Sequence, residues 1–230
     1  MKLFHPIALA AVLALGAAPA TGAAPAPAPR PQNWNNAIVV TPQDGHLVGN
    51  PNAGVKLIEY ISYTCPHCAH FEMESDASLR LSFIASGKGS VEYRPFIRSS
   101  IDVAAALLVR CGPITKFRGN HYAVLRDQAK WFHAPTPTEL QRWSAADFPT
   151  AMRNIANDLK LYDLMVTRGY TRAELDRCLA NKPAAEKMAA QTRYATQNGV
   201  QGTPSFFVNG RLQDTHSWDG LRPVLAELTR

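Results

Sequence analysis

The stretch YTCPHCAHF (63–71) holds two cysteines separated by a proline and a histidine. It follows VKLIEYI (55–61), whose apolar and β-branched residues predict a strand, and a helical pattern continues to about Ser86. Pro66 suits the first turn of a helix, where a missing N–H costs nothing. We therefore expect Cys65 at the junction of a strand and a helix.

This position predicts a reactive thiol. Unpaired N–H groups and the positive end of the helix dipole favour a thiolate at Cys65, and His67 adds to this if its ring points at the sulfur. Cys68 lies one turn further, where it can form a disulfide with Cys65, and should be the more buried of the two. A stabilised thiolate favours the reduced form, so we expect an oxidising disulfide.

Two other interpretations of the cysteine pair stay open at this point. A closed zinc site needs four ligands, and the remaining cysteines, Cys111 and Cys178, are not spaced as a second pair of this kind. A purely structural disulfide would close a short loop and stabilise the fold little. The pattern favours a redox-active dithiol, with no metal and no cofactor.

The order of the elements predicts the fold class. A second strand, SVEYRPFI (90–97), follows the first helix, which indicates a parallel strand–helix–strand unit. Only helical patterns occur over 100–197. Strand character returns in SFFVNGRLQ (205–213), with Asn-Gly as a hairpin turn, before a closing helix. The economical interpretation is one α/β domain interrupted by a helical insertion.

The N-terminal sequence predicts export. A short positive region, an apolar run at 7–15 and A-x-A sites are typical of a signal peptide, assigned to 1–20, and an Ala/Pro-rich spacer follows at 21–34. Cysteines can pair in the oxidising compartment this implies. The formal net charge is +6, but the basic residues are scattered, so we expect no nucleic-acid partner.

The combination of C-P-H-C after a strand with GTPSFFVNG (202–210) after the helical block resembles the DsbA-like thiol-disulfide oxidoreductases of the thioredoxin superfamily. The resemblance covers roughly Asn35 to the C-terminus. It implies a thioredoxin fold with an inserted all-helical domain. The two parts of the thioredoxin fold would be 35–98 and 198–230, and the insertion 99–197.

The resemblance also implies roles for residues outside the cysteine pair. The bond before Pro204 is expected to be cis and to face the dithiol, and Thr203 to hydrogen-bond an extended substrate segment. Strand alternation predicts that Glu59 is buried, although an edge-exposed glutamate is the alternative. By resemblance, Glu59 assists proton transfer to Cys68.

Cys111 and Cys178 each fall on the apolar face of a predicted helix. We predict a structural disulfide between them that pins the helical block. Two buried free thiols are the alternative.

The functional expectation is a periplasmic, monomeric oxidase of thiols in unfolded or folding proteins. The resemblance implies that a membrane-bound partner reoxidises it. Thr203 leaves an isomerase or a reductase as an alternative function. In the family that the chain resembles, the best-known oxidases have Val before the cis-proline, and isomerases often have Thr. We expect an oxidase, since the stretch before the first predicted strand is shorter than the dimerisation domain of such isomerases. A peptide-binding or chaperone module that uses the groove beside Pro204 without turnover is a further alternative.

Overall fold

The computed structural model describes residues 32–230 of the chain. The predicted signal peptide and most of the predicted spacer lie outside the described residues, so both stay predictions. Within the described range, no helix is long and apolar enough to cross a membrane.

Six strands of the described part form one mixed sheet in the order β1-β2-β4-β3-β5-β6. The pair β3 and β4 is parallel, as the strand–helix–strand pattern predicts, and every other neighbouring pair is antiparallel. The strands are β1 Ile38–Val40, β2 His46–Gly49, β3 Val55–Ile61, β4 Gly89–Pro95, β5 Ser205–Val208 and β6 Arg211–Leu212.

The first two strands are absent from the sequence prediction. They are only three and four residues long, too short to show an alternating pattern. Their turn closes through the Thr41 amide, which donates to the Gly45 carbonyl at 2.9 Å. β2 then pairs with β4, so this hairpin extends the sheet on the side away from β5.

Helices α2 to α9 all lie between β4 and β5, which confirms a thioredoxin fold with a helical insertion. The exact domain boundaries stay a prediction. The helices are α1 Pro66–Ser78, α2 Ser100–Val109, α3 Phe117–Arg126, α4 Gln128–Trp131, α5 Pro137–Ser144, α6 Phe148–Asp158, α7 Leu161–Thr167, α8 Arg172–Leu179, α9 Lys182–Gln197 and α10 Trp218–Leu228.

Helix α1 is shorter than predicted. Its α-helical bonding ends at Ser78 and continues as a π-helical turn over Leu79–Ile84, where the Ala85 amide donates to the Arg80 carbonyl five residues back. The buried residues of this turn are Leu79, Phe83 and Ile84, and all three join the main core. The helical pattern alone does not distinguish the two kinds of turn.

Strand β3 lies at the centre of the sheet, and its alternating side chains face two separate clusters. Leu57 and Ile61 join the main core, which includes Phe71 of α1. Tyr60 faces the opposite side and packs with Ala195 of α9. The dithiol helix α1 and the long helix α9 therefore cover opposite faces of the same strand.

The β5–β6 hairpin fixes the C-terminal half of the site to β3. Asn209 and Gly210 have φ angles of 48° and 80°, the left-handed conformations that an Asn-Gly turn adopts readily. The Asn209 side-chain oxygen accepts from the Lys56 amide at 2.8 Å, and the Asn209 amide donates to the Lys56 carbonyl at 2.9 Å. This contact anchors the far end of β5, the strand that follows Pro204.

Candidate active site

Cys65 is the N-cap residue of α1, with extended backbone angles of φ −86° and ψ 119°, and Pro66 occupies the first turn. Its sulfur faces the backbone N–H groups of His67 and Cys68, which an α-helix leaves unpaired in its first turn. Both cysteines are buried and unpaired as thiols. Cys65 is 3% exposed and Cys68 is fully buried.

The two thiols have pKa values shifted in opposite directions. The Cys65 pKa falls from 9.0 to about 4, chiefly because the Cys68 thiol donates a hydrogen bond to the thiolate, and also through Thr203 and the helix N–H groups. These contacts outweigh burial, which acts in the opposite direction. Burial raises the Cys68 pKa well above its usual value, and the neighbouring Cys65 raises it further.

The imidazole of His67 does not contribute in the expected way. The His67 side chain is exposed, and within the described residues its ring makes no hydrogen bond to Cys65. Its backbone N–H lowers the Cys65 pKa instead. The geometry assigns the thiolate stabilisation to the helix start and the second thiol.

Thr203 and Pro204 lie directly against the dithiol. The peptide bond between them is cis, and the Cys65 thiol donates to the Thr203 carbonyl at 3.2 Å. The Thr203 hydroxyl oxygen is buried and has no partner among the described residues. When the thiolate forms, this hydroxyl can donate to the sulfur, which explains how Thr203 helps to lower the Cys65 pKa.

Glu59 is fully buried on the face of β3 that α1 covers. Neither of its carboxyl oxygens has a hydrogen-bond partner in the described part of the chain. Burial raises its pKa well above the usual range, and the nearby Glu72 raises it further, so the neutral acid is favoured. Glu59 also raises the Cys68 pKa, which places the two groups in one electrostatic environment.

The loop between β3 and α1 is held by a buried aspartate that sequence reasoning missed. Asp102 of α2 accepts from the Ser62 hydroxyl at 2.8 Å and the Thr64 amide at 3.0 Å through one oxygen, and from the Arg98 amide at 3.0 Å through the other. The sequence does hold one indication that Asp102 has a special role, because it is the only charged residue in the apolar helix SIDVAAALLV. Its partners are distant in sequence and cannot be read from the pattern.

Gln128 of α4 is a second missed residue. Its side-chain amide donates to the Tyr63 carbonyl at 2.7 Å and the Cys65 carbonyl at 3.0 Å, and the residue is buried. The helical insertion therefore touches the backbone of Cys65 directly. No local pattern around Gln128 indicates this role.

The third missed group is a buried polar chain behind the dithiol. Glu72 of α1, His121 of α3 and Tyr63 are all buried and joined by hydrogen bonds. Glu72 follows Cys68 by four residues, so helical periodicity places both on one face of α1. His121 carries no sequence signal for this contact.

Cys111 and Cys178 form a disulfide with a Cα–Cα distance of 5.6 Å. It joins the segment after α2 to helix α8, away from the dithiol. Within residues 32–230, no group of three or more His, Cys, Asp or Glu side chains is arranged to hold a metal ion.

Comparisons with known proteins agree with this geometry. The model of the thioredoxin family matches residues 41–227. A crystal structure titled protein-disulfide isomerase from Novosphingobium aromaticivorans is 45% identical, with a TM-score of 0.76, over 81% of this chain and 98% of that chain. Wolbachia pipientis alpha-DsbA1 is 20% identical with a TM-score of 0.66 over 81% and 91% of the two chains, a likeness of fold.

A curated Rickettsia typhi protein, provisionally named a protein-disulfide oxidoreductase, is 31% identical over 76% of this chain and 58% of its own length. A Rickettsia bellii protein of the same name is 31% identical over 78% of this chain and 62% of its own length. The chain thus spans about three fifths of the curated relatives it matches.

A mixed sheet, a helix that begins at a C-x-x-C dithiol and an opposing Thr-Pro bond define a thioredoxin-fold protein. The chain belongs to the thioredoxin family, and its fold is similar to that of alpha-DsbA1.

Proposed function

We propose that the chain is an exported protein thiol-disulfide oxidoreductase that introduces disulfides into unfolded or folding proteins through a Cys65–Cys68 disulfide. The observation that carries this proposal is the opposite direction of the two cysteine pKa values. A thiolate stabilised at Cys65 favours the dithiol over the disulfide, so the oxidised form donates its disulfide readily.

The reaction begins when a substrate thiolate attacks the Cys65 sulfur of the disulfide. The S–S bond breaks, a mixed disulfide forms at Cys65, and Cys68 departs as a thiolate. Because burial disfavours that thiolate, Cys68 takes up a proton, and the neutral Glu59 carboxyl is the proposed donor. A second substrate thiolate then attacks the substrate sulfur, which forms the substrate disulfide and releases the Cys65 thiolate.

Thr203 and Pro204 are proposed to bind the substrate backbone. The Thr203 carbonyl accepts from the Cys65 thiol in the reduced protein, and in the disulfide form Cys65 has no proton to donate, so this oxygen is free for a substrate amide. An extended segment would then lie beside the sulfur that it attacks.

The proposal also covers the location of the protein and its partners. We place the protein in the periplasm as a monomer, with a membrane-bound protein as the oxidant that restores the disulfide. The predicted signal peptide at 1–20 and the DsbA-like fold support these assignments.

A disulfide isomerase is the second candidate. The 45% identical structure from Novosphingobium aromaticivorans is titled a protein-disulfide isomerase, and Thr203 is the residue that isomerases often carry before the proline. An isomerase works from the reduced dithiol, whereas an oxidase works from the disulfide.

The test uses one multi-cysteine protein as substrate in two forms. One form is fully reduced and unfolded, and the other is fully oxidised with scrambled disulfides. We expect the oxidised enzyme to form disulfides in the reduced substrate faster than the reduced enzyme rearranges the scrambled one. Cys65→Ser should abolish both reactions, and Cys68→Ser should trap the mixed disulfide. Faster rescue of the scrambled substrate would favour the isomerase, and binding without exchange would favour the peptide-binding module.

A further inference from the structure

Three buried side chains form a continuous hydrogen-bonded chain behind the dithiol. The His121 Nε2 lies 3.3 Å from a carboxyl oxygen of Glu72, and the His121 Nδ1 lies 3.0 Å from the Tyr63 hydroxyl. His121 is fully buried, and its two partners are nearly so. An imidazole with a partner on each nitrogen can accept a proton on one side and release one on the other.

One end of this chain faces the reacting cysteine. Glu72 raises the pKa of Glu59, and Glu59 in turn raises the pKa of Cys68, so the three groups interact electrostatically. Glu72 and Cys68 share a face of α1. The chain therefore starts where the proposed reaction consumes a proton.

The other end faces a cavity. Tyr63 lines a small enclosed space of about 10 Å³ together with Tyr93 and Arg110, a volume near the lower limit for one water molecule. A second cavity of about 270 Å³ shares His46 and Arg110 with it and is lined in part by the exposed Ile114. The two spaces therefore lie next to each other on the Tyr63 side of His121.

Proton supply is a physical requirement of the site. When the neutral Glu59 gives its proton to Cys68, a carboxylate is left fully buried, with no hydrogen-bond partner among the described residues and with Glu72 nearby. Such a charge is costly, so the proton must be replaced. Because Glu59 and Cys68 are fully buried, bulk water does not reach them directly.

We propose that Glu72, His121 and Tyr63 form a proton relay that connects Glu59 and Cys68 with water at the β2–α3 side of the sheet. This inference rests on the proposed thiol-disulfide exchange. Glu72 takes the Nε2 proton of His121 and passes a proton to Glu59, while Nδ1 takes the hydroxyl proton of Tyr63. A water molecule in the adjoining cavity returns a proton to Tyr63, and all steps reverse when the dithiol is reoxidised.

The groups that surround His121 are compatible with this role. Besides Glu72 and Tyr63, the ring faces Tyr93 of β4 at a centroid distance of 4.4 Å, and the charge environment includes His46 of β2. Burial and the neighbouring Arg110 together lower the His46 pKa to about 3, so His46 is neutral at physiological pH. The charged Arg110 acts on both His46 and Tyr63.

Two variants separate a relay from a structural role. His121→Gln can keep a donor to Glu72 and an acceptor for Tyr63, but an amide does not carry a proton. Tyr63→Phe removes one hydroxyl and keeps the ring. Tyr60→Phe is the matched control, because it also removes a buried tyrosine hydroxyl, one bonded to Arg94 on the opposite face of the sheet.

The measurement is the rate at which excess dithiothreitol reduces the oxidised full-length protein, followed across pH in H₂O and D₂O. We expect both relay variants to be about tenfold slower at neutral pH, with a larger solvent isotope effect. The rate deficit of the relay variants should shrink as pH falls, because protonation during brief local opening of the site grows with the hydronium concentration. Tyr60→Phe should match the wild type.

Relay variants that keep the wild-type rate, pH profile and isotope effect would overturn the relay. A rate that falls equally at every pH without a change in isotope effect would overturn it too, because that pattern indicates a structural role. In both cases a wild-type protein that still oxidises protein thiols leaves the proposed function intact. A wild-type disulfide that does not exchange with thiols would contradict the proposed function itself.

Discussion

At the scale of single residues, two identical thiols three positions apart acquire opposite properties. Cys65 gains hydrogen bonds from the helix start, the second thiol and Thr203, whereas Cys68 is enclosed by apolar and acidic surroundings. The C-P-H-C spacing was enough to predict which thiol has the lowered pKa and which is more buried. The sequence could not predict that the ring of His67 turns away, because side-chain direction at an exposed position leaves no pattern.

The Cys65 pKa predicts how the stability of the reduced protein depends on pH. A thiol in the unfolded chain ionises near pH 8.5, whereas the folded Cys65 pKa is about 4. The stabilisation is therefore complete above about pH 8.5 and is lost as the pH falls towards 4. Urea unfolding of the reduced wild type and reduced Cys65→Ser should give a stability difference that narrows over this range. A constant difference would contradict a lowered pKa.

The raised pKa of Glu59 predicts that folding stability depends on pH with the opposite sign. The unfolded carboxyl ionises near pH 4.3, but the folded protein keeps the proton to a higher pH, so folding loses stability as the pH rises through this interval. Glu59→Gln removes this loss. The free energy of unfolding of the oxidised variant, relative to that of the oxidised wild type, should rise by up to about 1.4 kcal/mol per pH unit.

The measurement is urea unfolding of the oxidised wild type and the oxidised Glu59→Gln variant from acidic to neutral pH. Both proteins are used in the oxidised form because Cys65 is then in the disulfide and does not titrate. Parallel stability curves would show that the Glu59 carboxyl is not held neutral. The same variant tests its role in exchange, since unchanged exchange rates across pH would remove Glu59 from the mechanism.

At the scale of elements, the inserted helices hold the loop that carries the nucleophile. Asp102 of α2 binds the loop at Ser62 and Thr64, and Gln128 of α4 binds the carbonyls of Tyr63 and Cys65. The sequence predicted the strands β3 to β6, the helical block and the N-terminus of α1 because these follow from local periodicity. These tertiary hydrogen bonds join residues about 40 to 65 positions apart and carry no local signal.

Gln128→Leu tests this support. The substitution removes the side-chain donor to the Tyr63 carbonyl and leaves the Cys65 carbonyl with only the Ala69 amide, so we expect a loss of about 2 kcal/mol in the free energy of unfolding. Gln141→Leu on the exposed surface of α5 is the matched control and should change stability little. Equal stability of the two variants, measured by urea unfolding, would show that the loop does not depend on α4.

At the scale of the whole molecule, the centre of the sheet combines strands that are far apart in sequence. β3 pairs with β4 on one side and with β5 on the other, and about 100 residues of helical insertion separate β4 from β5. The order of the predicted elements and the resemblance were together sufficient for this architecture. The β1–β2 hairpin was not predictable, because its short strands depend on β4 for their stability.

The Cys111–Cys178 disulfide predicts a stability effect that is separate from the chemistry. Its cysteines are 67 positions apart, and on the chain-entropy model such a loop contributes up to about 4 kcal/mol. The double variant Cys111→Ala, Cys178→Ala should lose stability in urea but keep the Cys65 pKa. Two alkylatable thiols at these positions in the purified wild type would contradict the bridge.

The central claim is that the Cys65–Cys68 disulfide is made oxidising by a stabilised Cys65 thiolate. The most direct test is the equilibrium of this pair with a series of glutathione buffers, with the Cys65 pKa read from thiolate absorbance in the same preparation. The account predicts a potential well above that of the glutathione couple and a pKa near 4. A potential near that of thioredoxin with a near-neutral Cys65 pKa would contradict it and favour a reductase or an isomerase.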